Sequence, residues 1–493
     1  MQNFSELRFD SASDVPLYKQ LAESIANLIR SGTIDEGQRL PATRELAGQL
    51  GLNRATISAA YALLEDAALI KGHVGRGSFV AQGQKPSAGL RTDWDAILSP
   101  VESALPAPSQ SIEISFASSR PAGEEFPLTQ FRRLAKQVID GEEACGILQL
   151  GSPHGYLPLR RYLLEQANAS GIARDGDDLI ITNGCQQALD LVARLFASEG
   201  HGVVLEDPVY HGCLRVFSRA GAELIPVPVD DAGIDVDAVD ETIQRHHPRL
   251  LIVTPSFQNP TGATLPLERR KRIVNLAQRF GLVLIENDIY SELRYHGKGL
   301  PTLKALDETG NTILLRSYSK VSFPGLRVGW VIAPRAVVAR LAEAKQLSDL
   351  HSDQLSQAIL LRFAESGELD RHMEKTRVAG AERLGALLQA CRRYLPPGAT
   401  YTSPEGGMNL WIELPAPLTA ETLLRRAEER GVTFLPGRYF SVRSGHSRGL
   451  RISFGGLRPD EITHGIRVIG EVATEELAAS ASKVGLEPIA ALV

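Results

Sequence analysis

The stretch S-Y-S-K-V-S-F-P-G-L-R, from Ser317 to Arg327, surrounds one lysine with small hydroxyl residues and places an arginine seven positions after it. A lysine amine can form an imine with an aldehyde cofactor. An arginine among hydroxyl groups can bind a phosphate through charge-assisted hydrogen bonds. Lys320 is therefore the candidate catalytic residue. A single lysine is more often an ordinary surface residue, so this interpretation depends on the segments around it.

A second segment, E-N-D-I-Y from Glu286 to Tyr290, supplies groups that suit the ring of pyridoxal phosphate. A carboxylate beside the pyridine nitrogen keeps that nitrogen protonated and makes the ring an electron sink, which is the role predicted for Asp288. Tyr290 can donate a hydrogen bond to the phenolate oxygen of the same ring. By itself, Asp288 also fits an ordinary turn residue at the end of a strand.

The cofactor's phosphate needs donors of its own. The run T-N-G-C-Q-Q-A-L places Gly184 and Cys185 between a predicted strand and a predicted helix. Exposed backbone N–H groups at the start of a helix bind phosphate. Ser317, Ser319 and Arg327 complete the predicted phosphate site.

Three more residues extend the candidate site toward a substrate. Asn259, in Q-N-P-T-G, is a second donor to the phenolate oxygen and a predicted substrate contact. Tyr210, in E-D-P-V-Y-H-G, is placed to stack on the ring face, although a core tyrosine fits its pattern equally well. Arg451, in L-R-I-S-F-G, can pair bidentately with a substrate carboxylate.

Length and composition limit the classes of protein that remain. A chain of 493 residues divides into two or three domains, and 43% hydrophobic with 23% charged residues is typical of a soluble globular protein. A net charge of −5 gives no sign of nucleic-acid binding, so any DNA contact has to be a local patch. The N-terminus has no signal-peptide pattern and no apolar run spans a bilayer, which predicts a cytoplasmic protein. The four scattered cysteines predict neither disulfides nor a metal site.

The first eighty residues predict a winged helix-turn-helix. Apolar residues recur at helical spacing from Leu17 to Arg30, a short second helix follows Pro41, and Asn53 is a good N-cap for a third helix that reaches Asp66. A glycine-rich turn between two short apolar runs then predicts a β-hairpin ending at Val80.

The arginines of this head fall where DNA is contacted, which argues against the alternative of a small protein-interaction domain. Side chains at the start of a recognition helix reach base edges, and Arg54 and Thr56 occupy that position. Arg76, at the hairpin tip, is predicted to enter the minor groove. Arg39 and Arg44 are predicted to hold phosphates.

The chain after the head predicts a linker, an α/β body and a tail. The boundaries are 10–81 for the head, 82–111 for a linker rich in Pro, Ser, Ala and Gly, 112–475 for the body and 476–493 for an uninformative tail. A short helix is expected inside the linker, between Trp94 and Leu105. Within the body, helical patterns alternate with short apolar runs, as buried parallel strands joined by crossover helices do; the runs are L-I-I-T, G-V-V-L-E, L-L-I-V-T, V-L-I-E and T-I-L-L-R.

Both parts resemble known families. The head, through P-L-Y-K-Q-L, G-Q-R-L-P-A-T-R-E-L-A, N-R-A-T-I-S-A-A-Y-A-L-L-E and G-R-G-S-F-V, resembles the GntR family of bacterial regulators. The body, from S-P-H-G-Y-L-P-L-R to R-I-S-F, resembles the class I/II aminotransferases of fold type I, and the whole chain resembles the MocR (GabR-like) regulators. The resemblance implies a homodimer that binds operator DNA and senses a ligand through pyridoxal phosphate. It also implies that Lys320 moves a proton on the substrate and that Arg451 binds its α-carboxylate.

Two departures leave a rival function open. Leu150 stands where related aminotransferases have a tyrosine that reaches the neighbouring subunit's phosphate, whereas Asn259 is the aminotransferase-like residue at a position that such regulators often fill with an aromatic. E-G-G-M-N-L-W-I-E-L-P, from Glu405 to Pro415, resembles the substrate-side strand of α-aminoadipate and aromatic aminotransferases. The alternative is thus a working aminotransferase with a fused DNA-binding head, and a third reading is a scaffold without cofactor. The ligand is left open among an amino acid, an amine and the cofactor itself.

Overall fold

The computed structural model describes residues 15–73, 77–81, 92–97, 112–197 and 199–484, together with Phe4, Leu7 and Phe9. The chain divides into two compact units, residues 1–102 and 103–493. The head lies in the first unit and the body in the second, and each is described by itself.

The head has the helices and the hairpin expected from its sequence: α1 Leu17–Arg30, α2 Thr43–Leu50, α3 Arg54–Asp66, β1 Ile70–His73, β2 Gly77–Val80 and, further on, α4 Trp94–Ile97. Gly51, with φ +65°, ends α2 in the left-handed region, where glycine carries no steric penalty. The Asn53 side chain then accepts a hydrogen bond of 3.0 Å from the Ala55 N–H and begins α3. The buried faces of α1 and α3 pack together around Leu21 and Ile57. The predicted winged helix-turn-helix is confirmed, and only Trp94–Ile97 of the expected linker helix lies within the described residues.

The body alternates strands and helices from β3 to α17, with bounds as follows: β3 Ile114–Ser115, α5 Leu128–Asp140, α6 Ala144–Ile147, α7 Leu157–Ala169, β4 Asp177–Asn183, α8 Gly184–Phe196, β5 Gly202–Asp207, α9 His211–Arg219, β6 Glu223–Asp230, β7 Gly233–Ile234, α10 Val236–His246, β8 Leu250–Val253, α11 Leu267–Phe280, β9 Val283–Asn287, α12 Leu303–Leu306, β10 Thr312–Ser317, β11 Val328–Pro334, α13 Arg335–Asp349, α14 Gln354–Glu365, α15 Glu368–Tyr394, β12 Thr400–Tyr401, β13 Asn409–Glu413, α16 Ala420–Glu428, β14 Val432–Thr433, β15 Leu435–Pro436, β16 Gly449–Ser453 and α17 Pro459–Val484.

The main sheet of the body has eight strands in the order β4-β11-β10-β9-β8-β5-β6-β7. The strands β10, β9, β8, β5 and β6 pair in parallel, and the five apolar runs picked out in the sequence all lie in strands. β11 is antiparallel to both of its neighbours and was not predicted. Only residues 318–327 separate β10 from β11, which is too short for the crossover that a parallel pair requires.

A smaller sheet, β12-β13-β16-β15, forms the second layer of the body with α15, α16 and α17 around its own core. Helix α17 continues through the predicted start of the tail to Val484. Arg426 on α16 forms ion pairs with both Glu475 and Glu476, so residues on either side of the predicted boundary are held to the body. Among the described residues, no helix is both long enough and apolar enough to span a membrane.

Candidate cofactor and ligand site

The predicted site residues converge because they follow parallel strands. Ligands of open α/β sheets bind outside the carboxyl ends of the strands. Gly184 follows β4, Tyr210 follows β5, Asn259 follows β8, Asp288 follows β9 and Lys320 follows β10, so all five lie at one edge of the sheet.

A cavity of about 470 Å³ opens at this edge. Nine predicted site residues line it: Cys185, Tyr210, Asn259, Tyr290, Ser317, Ser319, Lys320, Arg327 and Arg451. Asp288 and Gly184 are not among the lining residues. The side chain of Asp288 is buried, and Gly184 lies against the Arg327 guanidinium.

The lysine lies between the two layers of the body. Lys320 Nζ donates a hydrogen bond of 2.5 Å to the carbonyl oxygen of Ser119 and lies 5.8 Å from the ring centroid of Tyr290. The side chain is half-buried, so its amine faces a cavity that a small molecule can enter. This is the environment that an imine-forming amine requires.

Asn259 connects Tyr290, a predicted contact of the cofactor ring, with Arg451, the predicted partner of a substrate carboxylate. Its Nδ2 lies 3.4 Å from the Tyr290 hydroxyl, and its Oδ1 accepts a hydrogen bond of 3.2 Å from Arg451 Nη1. Arg451 also donates to the carbonyl oxygen of Ala117, while its buried Nε has no hydrogen-bond partner among the described residues. Burial lowers the pKa of Arg451 to about 10, so the guanidinium remains charged at neutral pH. A buried cation with an unused donor is suited to bind a carboxylate.

The predicted phosphate-binding residues form a cradle at the cavity. Ser317 Oγ lies 2.8 Å from Ser319 Oγ, and Arg327 Nη2 donates to the Asn183 carbonyl oxygen at 3.3 Å. Gly184 begins α8 with φ +74°, and a Cβ built there would lie 2.3 Å from Arg327 Nη2. The cradle therefore requires glycine at this position for both conformation and space.

Substituting Gly184 by alanine is expected to weaken retention of a phosphate-bearing cofactor at least tenfold, because the new methyl group displaces Arg327. Gly171→Ala is the matched control, since Gly171 has φ +68° with nothing within 4 Å of its added Cβ. The left-handed strain, about 1–2 kcal/mol, is common to both substitutions. Cofactor retention through gel filtration checks the prediction, and equal retention by the two variants would contradict it.

Two of the predicted residues have environments that bear on their roles. Cys185 Sγ donates to the Arg316 carbonyl oxygen at 3.2 Å, and burial raises the pKa of its thiol to about 12. The thiol therefore stays protonated, which suits a contribution through the backbone alone. The Tyr210 hydroxyl lies 3.2 Å from Gln186 Oε1, and burial raises its pKa to about 12. Its ring lines the cavity, as stacking on a cofactor ring requires.

The residues present fit pyridoxal phosphate. One carboxylate oxygen of Asp288, Oδ1, is buried and has no hydrogen-bond partner among the described residues. A buried acceptor without a donor is costly and indicates that a bound group supplies one. A protonated pyridine nitrogen is such a donor. The amine of Lys320 and the cradle at Gly184 and Arg327 match the aldehyde and the phosphate of the same molecule.

The sequence did not single out several residues of the site. Ser119, which accepts the Lys320 hydrogen bond, lies in a loop after β3 without a recognisable motif. His211 follows Tyr210 and lines the cavity, and burial lowers its pKa to about 4, so its imidazole is neutral. Arg316, which forms an ion pair with Asp288, stands only four positions before Lys320, and this proximity was a usable signal.

The head carries the predicted DNA-contact residues on its surface. Arg39, Arg44 and Arg54 are exposed, and within the described ranges none of them forms an ion pair. Thr56, on the first turn of α3, is half-buried. Arg76 lies outside the described residues.

Comparisons with known proteins match the same two parts. Residues 17–80 match the family of bacterial regulatory proteins described as gntR, and residues 111–469 match aminotransferase class I and II. The chain is 30% identical over 471 residues to the probable rhizopine catabolism regulatory protein MocR of Rhizobium meliloti, covering 93% of this chain and 94% of that protein. It is 40% identical to a 2-aminoadipate transaminase of Thermus thermophilus over 72% of this chain and 89% of that enzyme.

A solved structure agrees with these matches. The α-aminoadipate aminotransferase LysN of Thermus thermophilus, in complex with N-(5'-phosphopyridoxyl)-L-leucine, is 38% identical, with a TM-score of 0.71 over 75% of this chain and 94% of that one. The MocR match covers 93% of this chain and so spans both head and body, whereas the enzyme matches cover 72% and 75% of it. The chain therefore belongs to the aminotransferase class I and II family, among the MocR-type regulators that join such a body to a GntR-type head.

Proposed function

We propose that this protein is a cytoplasmic transcriptional regulator that binds operator DNA through its head and senses an α-amino acid through pyridoxal phosphate in its body. The observation that carries the proposal is the cavity itself, which unites a lysine amine, a predicted phosphate cradle and a buried arginine, on a chain whose head exposes Arg54 at the start of α3. We propose the division into head 10–81, linker 82–111, body 112–475 and tail 476–493, with helix α17 continuing from the body into the tail as far as Val484.

Each site residue has a role in holding the cofactor and the ligand. Lys320 would hold the cofactor covalently through its amine and would yield it to an incoming amine. Asp288 would accept a hydrogen bond from the ring nitrogen. Tyr290 and Asn259 would hold the phenolate oxygen, and Tyr210 would cover the ring face. The phosphate would be bound by the residues of the cradle, which are Gly184, Cys185, Ser317, Ser319 and Arg327. When bound, pyridoxal phosphate supplies an aldehyde that reacts with amines and a ring that withdraws electrons from them.

The charges of the cavity favour an amino acid over a simple amine. Lys320, Arg327 and Arg451 are the three lysine or arginine side chains among the described lining residues, and no Asp or Glu is found there. Lys320 is used by the cofactor aldehyde and Arg327 by the phosphate. Arg451 then remains for the α-carboxylate, a group that a simple amine lacks.

Signalling requires that the ligand bind one arrangement of the protein better than another, because a ligand with equal affinity for both shifts nothing. Arg451 and Asn259 supply the means within the body. We propose that their mutual 3.2 Å hydrogen bond rearranges when a carboxylate binds the guanidinium. We infer that this exchange changes the affinity of the head for DNA.

We also propose that the protein is a homodimer that reads two operator half-sites. Leu148, Leu150, Leu347 and Leu350 are exposed by 68%, 74%, 90% and 57% of their surfaces. Gln354, at the start of α14 and four positions after Leu350, donates through Nε2 to the carbonyl oxygens of Ile147 and Gln149, next to Leu148 and Leu150. Exposed apolar side chains at this density favour a protein interface, and a second copy supplies one. Leu150 cannot donate a hydrogen bond to a neighbouring phosphate, so its contact would be apolar.

The test is fluorescence anisotropy on DNA from the protein's own promoter region, at fixed salt. We expect an amino acid to change operator affinity of the cofactor-loaded protein at least fivefold, while the matching decarboxylated amine does so only weakly. Phenylalanine with phenethylamine, and leucine with isoamylamine, are suitable pairs. Arg451→Lys keeps the charge but loses the bidentate fork, and is expected to reduce the difference within each pair. Specific binding that ignores every amine and amino acid would contradict the sensing role.

A catalytic role is the second candidate, and one contact favours it. Asn259 retains its hydrogen-bonding distance to Tyr290, so the ring-side contacts that an aminotransferase uses are present. Keto-acid formation from the amino acids that alter the cofactor spectrum separates the two roles. Turnover with no effect on DNA binding would make the enzyme reading the correct one.

A further inference from the structure

The two oxygens of Asp288 have unequal surroundings. Oδ2 accepts hydrogen bonds from Arg316 Nε at 2.9 Å, from Arg316 Nη2 at 2.7 Å and from Ser291 Oγ at 2.9 Å. Oδ1 accepts none within the part of the chain that the structure describes, although it is buried. One oxygen is therefore fixed by the protein, and the other is left for a bound group.

Sheet register places Arg316 beside this carboxylate. β9 and β10 pair in parallel, with Leu315 opposite Asn287, and the Asp288 N–H donates to the Leu315 carbonyl oxygen at 2.9 Å. The next residue of β10, Arg316, consequently extends along the end of β9. Its carbonyl oxygen accepts the Cys185 thiol hydrogen bond. Arg316 is thus bound to Cys185, a residue of the predicted phosphate site, through its backbone, and to Asp288 through its guanidinium.

We propose that Arg316 is a positioning residue for the cofactor ring, which holds Asp288 Oδ2 so that Oδ1 faces the ring nitrogen and which offsets part of the carboxylate charge felt by the ring. This inference rests on the proposed binding of pyridoxal phosphate. A carboxylate that already serves an arginine is a weaker partner for a pyridinium than a free one. Arg316 therefore sets how strongly the ring draws electrons from a bound ligand.

The charges around the pair support a permanent cation at Arg316. Burial alone lowers the pKa of Arg316, but the charges of Asp288 and Glu292 outweigh burial and leave the pKa raised. Glu292 lies 3.8 Å from Arg316 Nη1 and also pairs with Arg377 at 3.3 Å. Burial and the nearby charge of Asp288 raise the pKa of the Glu286 carboxyl to about 7. The charge of Arg270, on α11, acts on that pKa in the opposite direction. Lys320 and Tyr290 face the ring from the cavity side.

The experiment measures two quantities on the full-length protein: the affinity for added pyridoxal phosphate, and the apparent pKa from a pH titration of the bound cofactor's visible absorbance. Arg316→Gln removes one positive charge beside Asp288. It is expected to weaken cofactor affinity about tenfold, because Asp288 Oδ2 loses the two hydrogen bonds that hold it. It is expected to raise the apparent pKa by about one unit, because protonated forms near the ring become more favourable. An unchanged apparent pKa would overturn the proposal.

Three further variants separate charge from structure. Ser291→Ala removes a neutral donor to the same oxygen, and is expected to weaken affinity a few-fold with the apparent pKa unchanged. Arg377→Gln removes a positive charge that contacts Glu292 but not Asp288, and is expected to change neither quantity. Should Arg316→Gln fail to fold, Arg316→Lys keeps the charge without the fork, so weaker affinity with an unchanged apparent pKa is expected and wild-type affinity would overturn the proposal. Wild-type protein that binds no pyridoxal phosphate would instead refute the proposed function.

Discussion

Replacing Lys320 with alanine is expected to abolish covalent attachment of pyridoxal phosphate, from one reducible cofactor per wild-type chain to none. Lys320 Nζ is the amine that enters the cavity, between the Ser119 carbonyl oxygen and the Tyr290 ring. Its removal leaves the phosphate cradle and Asp288 in place, so weak noncovalent binding is expected to persist. Intact mass after borohydride reduction, with and without the cofactor, measures the loss directly.

Lys298→Ala is the matched control for this change. Lys298 is exposed and does not line the cofactor cavity, so its substitution is expected to leave the reduced adduct intact. The response of operator affinity to amino acids gives a second readout. The alanine variant should lose the response of operator affinity to amino acids but keep its basal affinity, because Lys320 lies in the body. A reduced adduct that survives in Lys320→Ala would show that another amine forms the bond, and the site assignment would be wrong.

The elements carried by local patterns could be predicted from the sequence. The five apolar runs became strands because buried parallel strands leave a continuous apolar signature, and α3 begins at Arg54 because Asn53 caps it. β11, with the sequence V-G-W-V-I-A-P, carries a similar apolar run and was a usable signal, whereas its antiparallel direction depends on the short loop before it. The boundary at residue 475 fell inside α17 because an alanine-rich sequence suits a helix as well as a tail.

Site residues that directly follow one strand could be predicted from the sequence, whereas contacts between distant segments could not. Lys320 and Asp288 each follow a strand and are surrounded by distinctive neighbours. The contact of Lys320 with Ser119 joins residues 201 positions apart, and no local pattern announces it. The pairing of Arg316 with Asp288 follows from the register of β9 against β10, which the two strand sequences do not specify. Long-range register is thus the information that was missing.

Substituting Arg54 by alanine is expected to remove most of the specific operator affinity and to leave the cofactor spectrum unchanged. Arg54 is the first residue of α3 and is exposed, and the capped N-terminus of a recognition helix is the part that reaches base edges. One bidentate contact to guanine contributes about 1–3 kcal/mol, which corresponds to roughly 5- to 150-fold in affinity. Anisotropy on operator and scrambled DNA at the same salt concentration separates this loss from a general weakening.

Arg30→Ala removes the same charge from the same head at a different place. Arg30 is exposed at the end of α1 and forms an ion pair with Glu23 at 3.2 Å, so only a small, sequence-independent change is expected. Arg39→Ala and Arg44→Ala should behave differently from both. Because Arg39 and Arg44 are predicted phosphate contacts, each substitution should weaken binding to operator and to scrambled DNA alike. Each should also reduce the slope of log affinity against log salt concentration by about one. If Arg54→Ala still prefers operator over scrambled DNA as strongly as the wild type, Arg54 contributes only charge. Since Arg54 is the residue best placed to read bases, the assignment of α3 as the recognition helix would then be wrong.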